Sequence, residues 1–314
     1  MATYNGENYI KGQIESILRQ THSNWNLFIR DDGSVDSTLR IIEEYCKIDK
    51  RVHLISYGSS AKGACLNFYR LLQFAKDKLE GYDYFFLSDQ DDVWAEDKIE
   101  TSIDEALKSK NTGPLLVYSD LLLMSKDGTV GGNKMSDIHD IKLSNPFNIF
   151  FDQIYIWGNT ICMNRQLLEI INIPDSIYNK LSHDHYIAFY AVSFGDVIYI
   201  NRPLVKYRRH EENFSGLPVS YNVINATKRI IGKWNDIFEG HVISYRNVLF
   251  FIENAPYKTT AMLEIEKAIR EGGFYSLSVI KKYKIVPGAN IFNAMMNRII
   301  LCLGIHKKRI NLVE

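Results

Sequence analysis

Three carboxylates lie within four positions directly after an apolar run. The run 82–88 predicts a buried strand, and Asp89, Asp91 and Asp92 follow it. Such crowding raises the pKa of each carboxyl unless a cation is present. Mg²⁺ and Mn²⁺ prefer oxygen ligands, and Mg²⁺ typically takes one or two carboxylates and fills its other positions with phosphate oxygens and water. The segment therefore predicts a Mg²⁺ or Mn²⁺ site, with a solvated turn as the alternative. A calcium loop is excluded because valine and tryptophan stand where it needs an oxygen ligand and glycine.

A second acidic segment follows an earlier strand. Residues 26–30 predict a strand that runs into a Gly-Ser turn carrying Asp31, Asp32 and Asp36. A carboxylate placed there can accept hydrogen bonds from a nucleobase imide or from ribose hydroxyls. The alternative, strongest for Asp31 and Asp36, is that they are turn and cap residues, which aspartate also favours.

The elements that position these residues alternate along the first half of the chain. Apolar spacing predicts strands at 26–30, 52–56, 82–88 and 115–119, and helices at 8–20, 37–47, 65–78 and 98–108. Further helices are predicted at 159–171 and 184–194, and extended chain at 197–207. This alternation predicts an α/β fold with a mostly parallel central sheet flanked by helices. Both acidic segments then lie at the carboxyl edge of the sheet, where such folds bind ligands.

Charge and pattern both divide the chain near residue 219. The 37 basic and 37 acidic residues cancel overall, which argues against a nucleic-acid partner. Residues 1–219 nevertheless carry 23 basic and 30 acidic residues, against 14 and 7 in residues 220–314. We expect a catalytic domain over 1–219 and a basic, helical C-terminal extension over 220–314.

The cysteines and the apolar runs indicate a compartment. Cys46, Cys65, Cys162 and Cys302 are scattered singly, which favours free thiols in a reducing environment over disulfides or a zinc site. Neither a signal peptide nor an apolar run long enough to span a membrane is evident. A cytoplasmic location is therefore expected, with attachment to the inner face of the cell membrane left open.

Three ordered motifs carry a resemblance to a known family. Residues 2–6 (Ala-Thr-Tyr-Asn-Gly), 31–38 (Asp-Asp-Gly-Ser-Val-Asp-Ser-Thr) and 88–94 (Ser-Asp-Gln-Asp-Asp-Val-Trp) resemble the inverting glycosyltransferases of family 2, which share the GT-A nucleotide-sugar fold. The last motif and residues 207–213 resemble the bacterial rhamnosyltransferases in particular. The similarity covers roughly residues 1–215. One departure is that the family has an apolar strand before the first motif, so either upstream residues are missing from this sequence or the sheet lacks most of a central strand.

The resemblance implies a role for individual residues on the donor side. It places the nucleotide against Thr3, Tyr4, Asp32 and Asp89, with Tyr4 near the base and Asp32 reading the pyrimidine. It places the cation on Asp91, and with it Asp92. His210 fits a metal ligand or a diphosphate contact, beside Arg208 or Arg209 as phosphate donors. The alternative for these positions is ordinary packing or turn formation.

The resemblance also implies a catalytic base and an acceptor pocket. Asp184 occupies the position of the family's base, and a helix start stabilises its anion. The alternative is a plain N-cap aspartate. Its neighbours His183 and His185 either orient it and contact the acceptor or are surface residues. The acceptor pocket is implied at Trp157, Gly158 and Asn159, although buried core is an equal alternative for Trp157.

The C-terminal region carries one amphipathic pattern but no catalytic motif. Six apolar residues share a helical face: Phe292, Met295, Met296, Ile299, Ile300 and Leu303. Lys307, Lys308 and Arg309 follow them, a pattern typical of an interfacial helix at an anionic membrane surface. The alternative is a helix that packs on the catalytic domain or on a second subunit in a homodimer.

Together these features predict a metal-dependent inverting glycosyltransferase. By resemblance, it moves rhamnose or another deoxyhexose from a dTDP- or UDP-linked donor to a glycan or lipid-linked acceptor of cell-surface polysaccharide. One alternative is a nucleotidyltransferase of the same fold, although the Gly-rich basic loop usual in that class is not evident. The other alternative is a non-catalytic sugar-nucleotide-binding subunit, against which the presence of Asp89, Asp91 and Asp184 argues.

Overall fold

A computed structural model describes residues 1–58, 62–110, 112–138, 145–151, 156–179, 181–210, 226–285 and 291–310. The chain divides into two compact units. The first comprises residues 1–141 and 156–217, and the second comprises residues 142–155 and 218–314. The second unit thus also takes in residues 142–155, which the sequence analysis assigned to the catalytic domain.

Strands are confined to the first unit within the described residues, and the long helices divide between the two. The strands are β1 (Ala2–Thr3), β2 (Leu27–Asp31), β3 (Val52–Leu54), β4 (Tyr84–Phe86), β5 (Val93–Trp94), β6 (Leu115–Met124), β7 (Val130–Lys134), β8 (Ile161–Asn164) and β9 (Asp196–Arg208). The helices of the first unit are α1 (Ile10–Leu18), α2 (Thr38–Ile48), α3 (Ala64–Lys78), α4 (Lys98–Lys108), α5 (Arg165–Ile170) and α6 (His183–Phe194). The second unit contains α7 (Ala226–Asn254), α8 (Thr260–Glu271), α9 (Gly273–Lys282), α10 (Ile291–Leu303) and α11 (Lys307–Ile310).

The strands form an α/β arrangement in two connected sheets. β1, β2 and β3 pair in parallel. The second sheet has the order β4-β8-β6-β9-β5, with β7 on β6, and only β6 and β9 pair in parallel within it. The backbone N–H of Ala2 donates to the Ser88 carbonyl after β4 at 3.2 Å, which joins the sheets. The expectation of a mostly parallel sheet is therefore corrected to a mixed one. Parallel pairing needs a long crossover, and the short connection from β6 to β7 permits only an antiparallel hairpin.

The helix predicted over 159–171 is also wrong. Its first part is a short 3₁₀ turn, Gly158–Thr160, followed by β8. Ile161, Cys162 and Met163 are buried because β8 lies between β4 and β6, so a run that could belong to either element becomes a strand. The helix α5 begins only after Asn164, whose side chain accepts a hydrogen bond from the Leu167 N–H.

β1 is short, and a cavity lies beside it. The cavity has a volume of about 620 Å³ and is lined by Met1 and by apolar side chains of β2, α3 and β4. The carboxyl ends of β1, β2 and β4 lead into the three motif segments. Thr3 pairs with Asp31, so the first two segments meet directly at this edge.

The second unit is helical. Residues 145–151 belong to it through the Asn145 side chain, which donates to the carbonyls of Tyr283 and Lys284 at 2.9 and 2.8 Å. The Asn297 side chain likewise donates to the Phe151 carbonyl at 3.2 Å. In the described part of the chain, every helix is too short or too polar to cross a bilayer.

Candidate active site

The first acidic segment is organised as a hydrogen-bonded turn. Asp31 Oδ1 accepts from the backbone N–H groups of Gly33 and Ser34 at 2.9 and 2.7 Å, and its Oδ2 accepts from Thr3 Oγ1 at 2.8 Å. Asp36 accepts from the Thr38 N–H at 3.0 Å, just where α2 begins. Asp31 therefore organises the turn, whereas Asp36 lies one residue before Ser37, the N-cap of α2, and accepts from the first helical residue. Thr3 is buried and its hydroxyl donates to Asp31, so it helps to hold this turn.

Asp32 is held in place from two sides. Arg30 Nη1 lies 3.1 Å from Asp32 Oδ1, and the Gly63 N–H donates to Oδ2 at 2.7 Å. Arg30 is fixed in turn by Asn67 Oδ1 at 3.0 Å. A carboxylate oxygen can accept more than one hydrogen bond, so Asp32 keeps acceptor capacity for a further donor, such as a nucleobase N–H.

A glutamine joins the two motif segments next to Tyr4. Gln90 Oε1 accepts from the Tyr4 N–H, and Gln90 Nε2 donates to the Tyr4 carbonyl, both at 2.9 Å. A Cβ on Gly6 would lie only 2.3 Å from Gln90 Oε1, which explains why glycine stands there. The Tyr4 side chain is 50 % exposed and offers an open aromatic face. Sequence reasoning missed Gln90, although its place between Asp89 and Asp91 was a signal.

The second acidic segment concentrates negative charge. Burial, reinforced by Asp91 and Asp184, raises the pKa of Asp89 well above its ordinary value. Burial, reinforced by Asp91 and Asp89, does the same for the pKa of Asp92. Carboxylates that resist ionisation because they crowd one another are stabilised by a bound cation. The described residues contain no group of three His, Cys, Asp or Glu side chains that could hold a metal ion unaided.

Asp91 and Asp92 face different partners. Asp91 Oδ2 lies 2.7 Å from His210 Nε2. The Asp92 side chain, nearly inaccessible to solvent, accepts from Asn159 Nδ2 at 2.5 Å and from the Arg208 N–H at 3.1 Å. Asp91 is therefore paired with His210, whereas Asp92 ties Asn159 to the end of β9.

Tyr9 forms a stack that sequence reasoning did not find. Its ring lies 4.9 Å from the His210 ring at an interplanar angle of 26°, and the Arg208 guanidinium lies 4.9 Å from the Tyr9 ring centroid. Arg208 Nε donates to the Asp91 carbonyl at 2.8 Å. The only signal was that Tyr9 precedes the apolar face of α1 without belonging to it. By contrast, the Arg209 backbone N–H donates to the Met124 carbonyl at 2.8 Å, so this residue continues the pairing with β6.

Asp184 lies in the first turn of α6, after Ser182. Its Oδ1 accepts from the Ser182 hydroxyl and, at 2.8 Å, from the His185 N–H. Burial opposes ionisation, but the His183 and His185 imidazoles and these hydrogen bonds outweigh it and hold the pKa of Asp184 below its ordinary value. Asp184 is therefore an anion at neutral pH, close enough to Asp89 to raise the pKa of that carboxyl.

His183 packs between an aromatic ring and a glycine. Its ring stacks on Phe68 with centroids 4.0 Å apart, and a Cβ on Gly158 would lie 2.6 Å from His183 Nε2. Burial lowers the pKa of His183, and the negative charge of Asp184 partly opposes this. Gly158 thus permits the approach of His183 beside Asp184. Trp157, only partly buried, precedes it and accepts at its carbonyl from Thr160 Oγ1 at 2.8 Å.

The fold is of the GT-A type. The architecture is similar to that of S. aureus TarS residues 1–349, solved in complex with UDP-GlcNAc. The TM-score is 0.54 at 15 % sequence identity, covering 98 % of this chain and 89 % of that one. At this identity the likeness concerns the fold.

The sequence comparisons identify the family. The family model described as glycosyl transferase family 2 matches residues 1–120. The chain is 32 % identical over 230 residues to a dTDP-rhamnosyl transferase, RfbG, of Shigella flexneri, covering 70 % of this chain and 75 % of the relative. The chain therefore belongs to glycosyl transferase family 2, which confirms the resemblance drawn from the three motifs. It is also 26 % identical to WfgD of Escherichia coli, a UDP-Glc:α-D-GlcNAc-diphosphoundecaprenol β-1,3-glucosyltransferase, over 68 % of this chain and 78 % of that protein.

Proposed function

We propose that this glycosyltransferase moves rhamnose or another deoxyhexose from a dTDP- or UDP-linked donor, with inversion, to a glycan or lipid-linked acceptor. The observation that carries the proposal is the proximity of Asp184 to the acidic segment, where its charge contributes to the raised pKa of Asp89. Asp184 is the proposed base. Asp89 and Asp91, which lie after a neighbouring strand, are proposed to hold the donor and a cation. The relation to the Shigella dTDP-rhamnosyl transferase supports the choice of donor.

Asp184 acts as the base. The acceptor hydroxyl oxygen attacks the anomeric carbon, the bond from that carbon to the diphosphate oxygen breaks, and the hydroxyl proton passes to Asp184. The nucleoside diphosphate leaves with the bonding electrons. The hydrogen bonds from Ser182 and His185 keep Asp184 ionised and oriented, at some cost in basicity. His183 lies beside it and lines the acceptor side with Gly158.

The donor side holds the nucleoside diphosphate. Tyr4 offers a face to the base and Asp32 accepts from its imide N–H. Asp89 accepts from ribose hydroxyls. Arg208, positioned against Tyr9, and its neighbour Arg209 contribute positive charge for the diphosphate.

Asp91, with Asp89, fits Mg²⁺ or Mn²⁺. One or two carboxylates with phosphate oxygens and water make an ordinary Mg²⁺ environment, so no cage of protein ligands is needed. Burial, reinforced by the negative charges of Asp91 and Asp184, raises the pKa of Asp89, and a bound cation would favour its ionised form. A bound divalent ion supplies charge stabilisation to the departing diphosphate. His210, 2.7 Å from Asp91, is a further ligand or a diphosphate contact. Asp92, whose oxygens face Asn159 and the Arg208 N–H, positions these elements.

Substitution of Asp184 tests the proposal. Asp184→Asn should leave donor and metal binding nearly unchanged, measured by thermal stabilisation with a panel of nucleotide sugars with and without Mn²⁺. Sugar transfer should fall by roughly 10²-fold or more, the scale for losing a general base. If donor affinity collapses instead, Asp184 belongs to the nucleotide site and the assignment is wrong. Release of pyrophosphate rather than a nucleoside diphosphate would indicate a nucleotidyltransferase. Donor binding without any turnover would indicate a non-catalytic subunit.

A further inference from the structure

The helical unit exposes apolar side chains along α10, at the start of α9 and just after α10. Met295, Ile299 and Leu303 are spaced four residues apart along α10 and are 53, 39 and 68 % exposed. Phe274 at the start of α9 is 84 % exposed, and Ile305 after α10 is 42 % exposed. We call these five side chains the apolar end patch. Met296 and Ile300 are buried instead. The six apolar residues that the sequence analysis placed on one helical face therefore include both buried and exposed side chains. The Phe292 side chain lies outside the described part of the structure.

Two glycines let the start of α9 approach the end of α10. A Cβ on Gly272 would lie 2.7 Å from the Leu301 carbonyl oxygen and 3.2 Å from Gly304 Cα, so the start of α9 touches the end of α10. Gly304 has a φ of +62°, a conformation that glycine adopts without strain and that turns the chain after α10. Phe274, two residues after Gly272, and Leu303 therefore lie at the same end of the unit.

The same turn places positive charge beside the patch. A Cβ on Gly304 would lie 2.8 Å from Lys307 Cε, so the Lys307 side chain crosses the turn. Lys308 is the next residue and is exposed. His306 fixes this segment, because its Nε2 lies 2.6 Å from the Ile269 carbonyl oxygen and its Nδ1 lies 3.2 Å from that of Ile300. The basic residues are thus part of a folded surface. The exposed carboxylate nearest in sequence to Phe274, Glu271, lies 3.9 Å from the Lys267 ammonium.

We infer that the apolar end patch, with Lys307 and Lys308, docks on a bilayer that contains anionic phospholipid. Exposed apolar side chains flanked by lysines match the two layers of such a surface, acyl chains and negative headgroups. A second copy of the chain is disfavoured, because a twofold contact through this patch would bring its lysines toward those of the partner. This surface goes beyond the proposed function, because it belongs to the helical unit and makes no use of the transfer site.

Co-sedimentation of the full chain with vesicles tests the inference. The chain should bind phosphatidylcholine vesicles weakly and vesicles that also contain phosphatidylglycerol strongly, and high salt should weaken the second binding. Lys307→Gln with Lys308→Gln should lower binding to the anionic vesicles about 30-fold, since each basic residue near such a surface contributes about fivefold. Phe274→Ser with Leu303→Ser should lower it at least about tenfold by removing apolar burial.

Matched controls lie elsewhere on the same unit. Ile243→Ser with Leu263→Ser also removes two half-exposed apolar side chains, and Lys281→Gln with Lys284→Gln removes two exposed positive charges. Both pairs should bind nearly as the unmodified chain does. Equal losses in control and patch variants, or no preference for anionic vesicles, would overturn the inference.

Sedimentation velocity and an activity assay distinguish membrane binding from dimerisation and from a defect in the transfer site. If sedimentation velocity shows a dimer that Phe274→Ser with Leu303→Ser dissociates, the patch is a subunit interface and the inference fails. Donor turnover with a water-soluble acceptor should be the same in all four variants and in the unmodified chain. If the unmodified chain shows no such turnover, the result counts against the proposed function and not against the membrane surface.

Discussion

Lys98, the first residue of α4, is a buried cation whose replacement should stabilise the protein. Its side chain is inaccessible to solvent, and its ammonium makes no hydrogen bond with any described residue. The ammonium lies 4.8 Å from the Trp94 ring centroid and 5.6 Å from that of Phe86. Burial lowers the pKa of Lys98 from 10.5 to about 8, despite the opposing influence of Cys162 and Asp92. The native fold therefore disfavours the charged form of this side chain.

The magnitude follows from the pKa difference. At about 1.36 kcal/mol for each pKa unit, burial of the charged lysine costs about 3 kcal/mol at pH 7. Methionine fills a similar volume and packs well against aromatic rings. Lys98→Met should therefore raise the free energy of unfolding by about 1 to 3 kcal/mol at pH 7.

The pH dependence gives the sharper test. The folded pKa lies below the unfolded one, so the cost is full below pH 8 and disappears as pH rises from about 8 to 10.5. The advantage of Lys98→Met over the unmodified chain should therefore shrink by about 2 kcal/mol between pH 7 and pH 10. Urea unfolding at both pH values measures it, with Lys47→Met as the exposed-lysine control. A variant less stable at pH 7, or an advantage that is the same at both pH values, would refute this reasoning.

Three further substitutions address the transfer site. Asp91→Asn should lower sugar transfer by about 10²-fold or more and abolish stabilisation by Mn²⁺ while the fold remains intact, checked by circular dichroism and metal titration; wild-type turnover with unchanged metal dependence would contradict the metal assignment. Gly158→Ala should displace the His183 ring and lower turnover without weakening donor binding, whereas unchanged kinetics would show that this contact is unimportant. Asp92→Asn presents an amide donor where the carboxylate accepts from two groups, so it should cost about 1 to 3 kcal/mol in unfolding free energy, and full stability would exclude a positioning role for Asp92.

The sequence was sufficient to predict the fold class, and it also indicated the segments that form the candidate site. Alternating strand and helix patterns predicted the α/β class, and the acidic runs after β2 and β4 predicted the edge at which Asp32, Asp89 and Asp91 lie. Local rules work here because apolar periodicity reports burial and because the carboxyl ends of parallel strands meet at one edge. The turn alternative for Asp31 was also visible locally, since its partners Gly33 and Ser34 are its sequence neighbours.

Tertiary structure decided what depends on partners distant in the chain. The strand β8 could not be told from a helix, because its burial comes from β4 and β6 rather than from its own pattern. Asp92 resembles Asp91 in sequence, yet its oxygens face Asn159 and the Arg208 N–H, 67 and 116 residues away. The stack of Tyr9 on His210 likewise joins two residues of the first unit that are far apart in the sequence. Residue type and spacing determine which groups are available, whereas the contacts that orient each carboxylate exist only once the sheet and its loops have assembled.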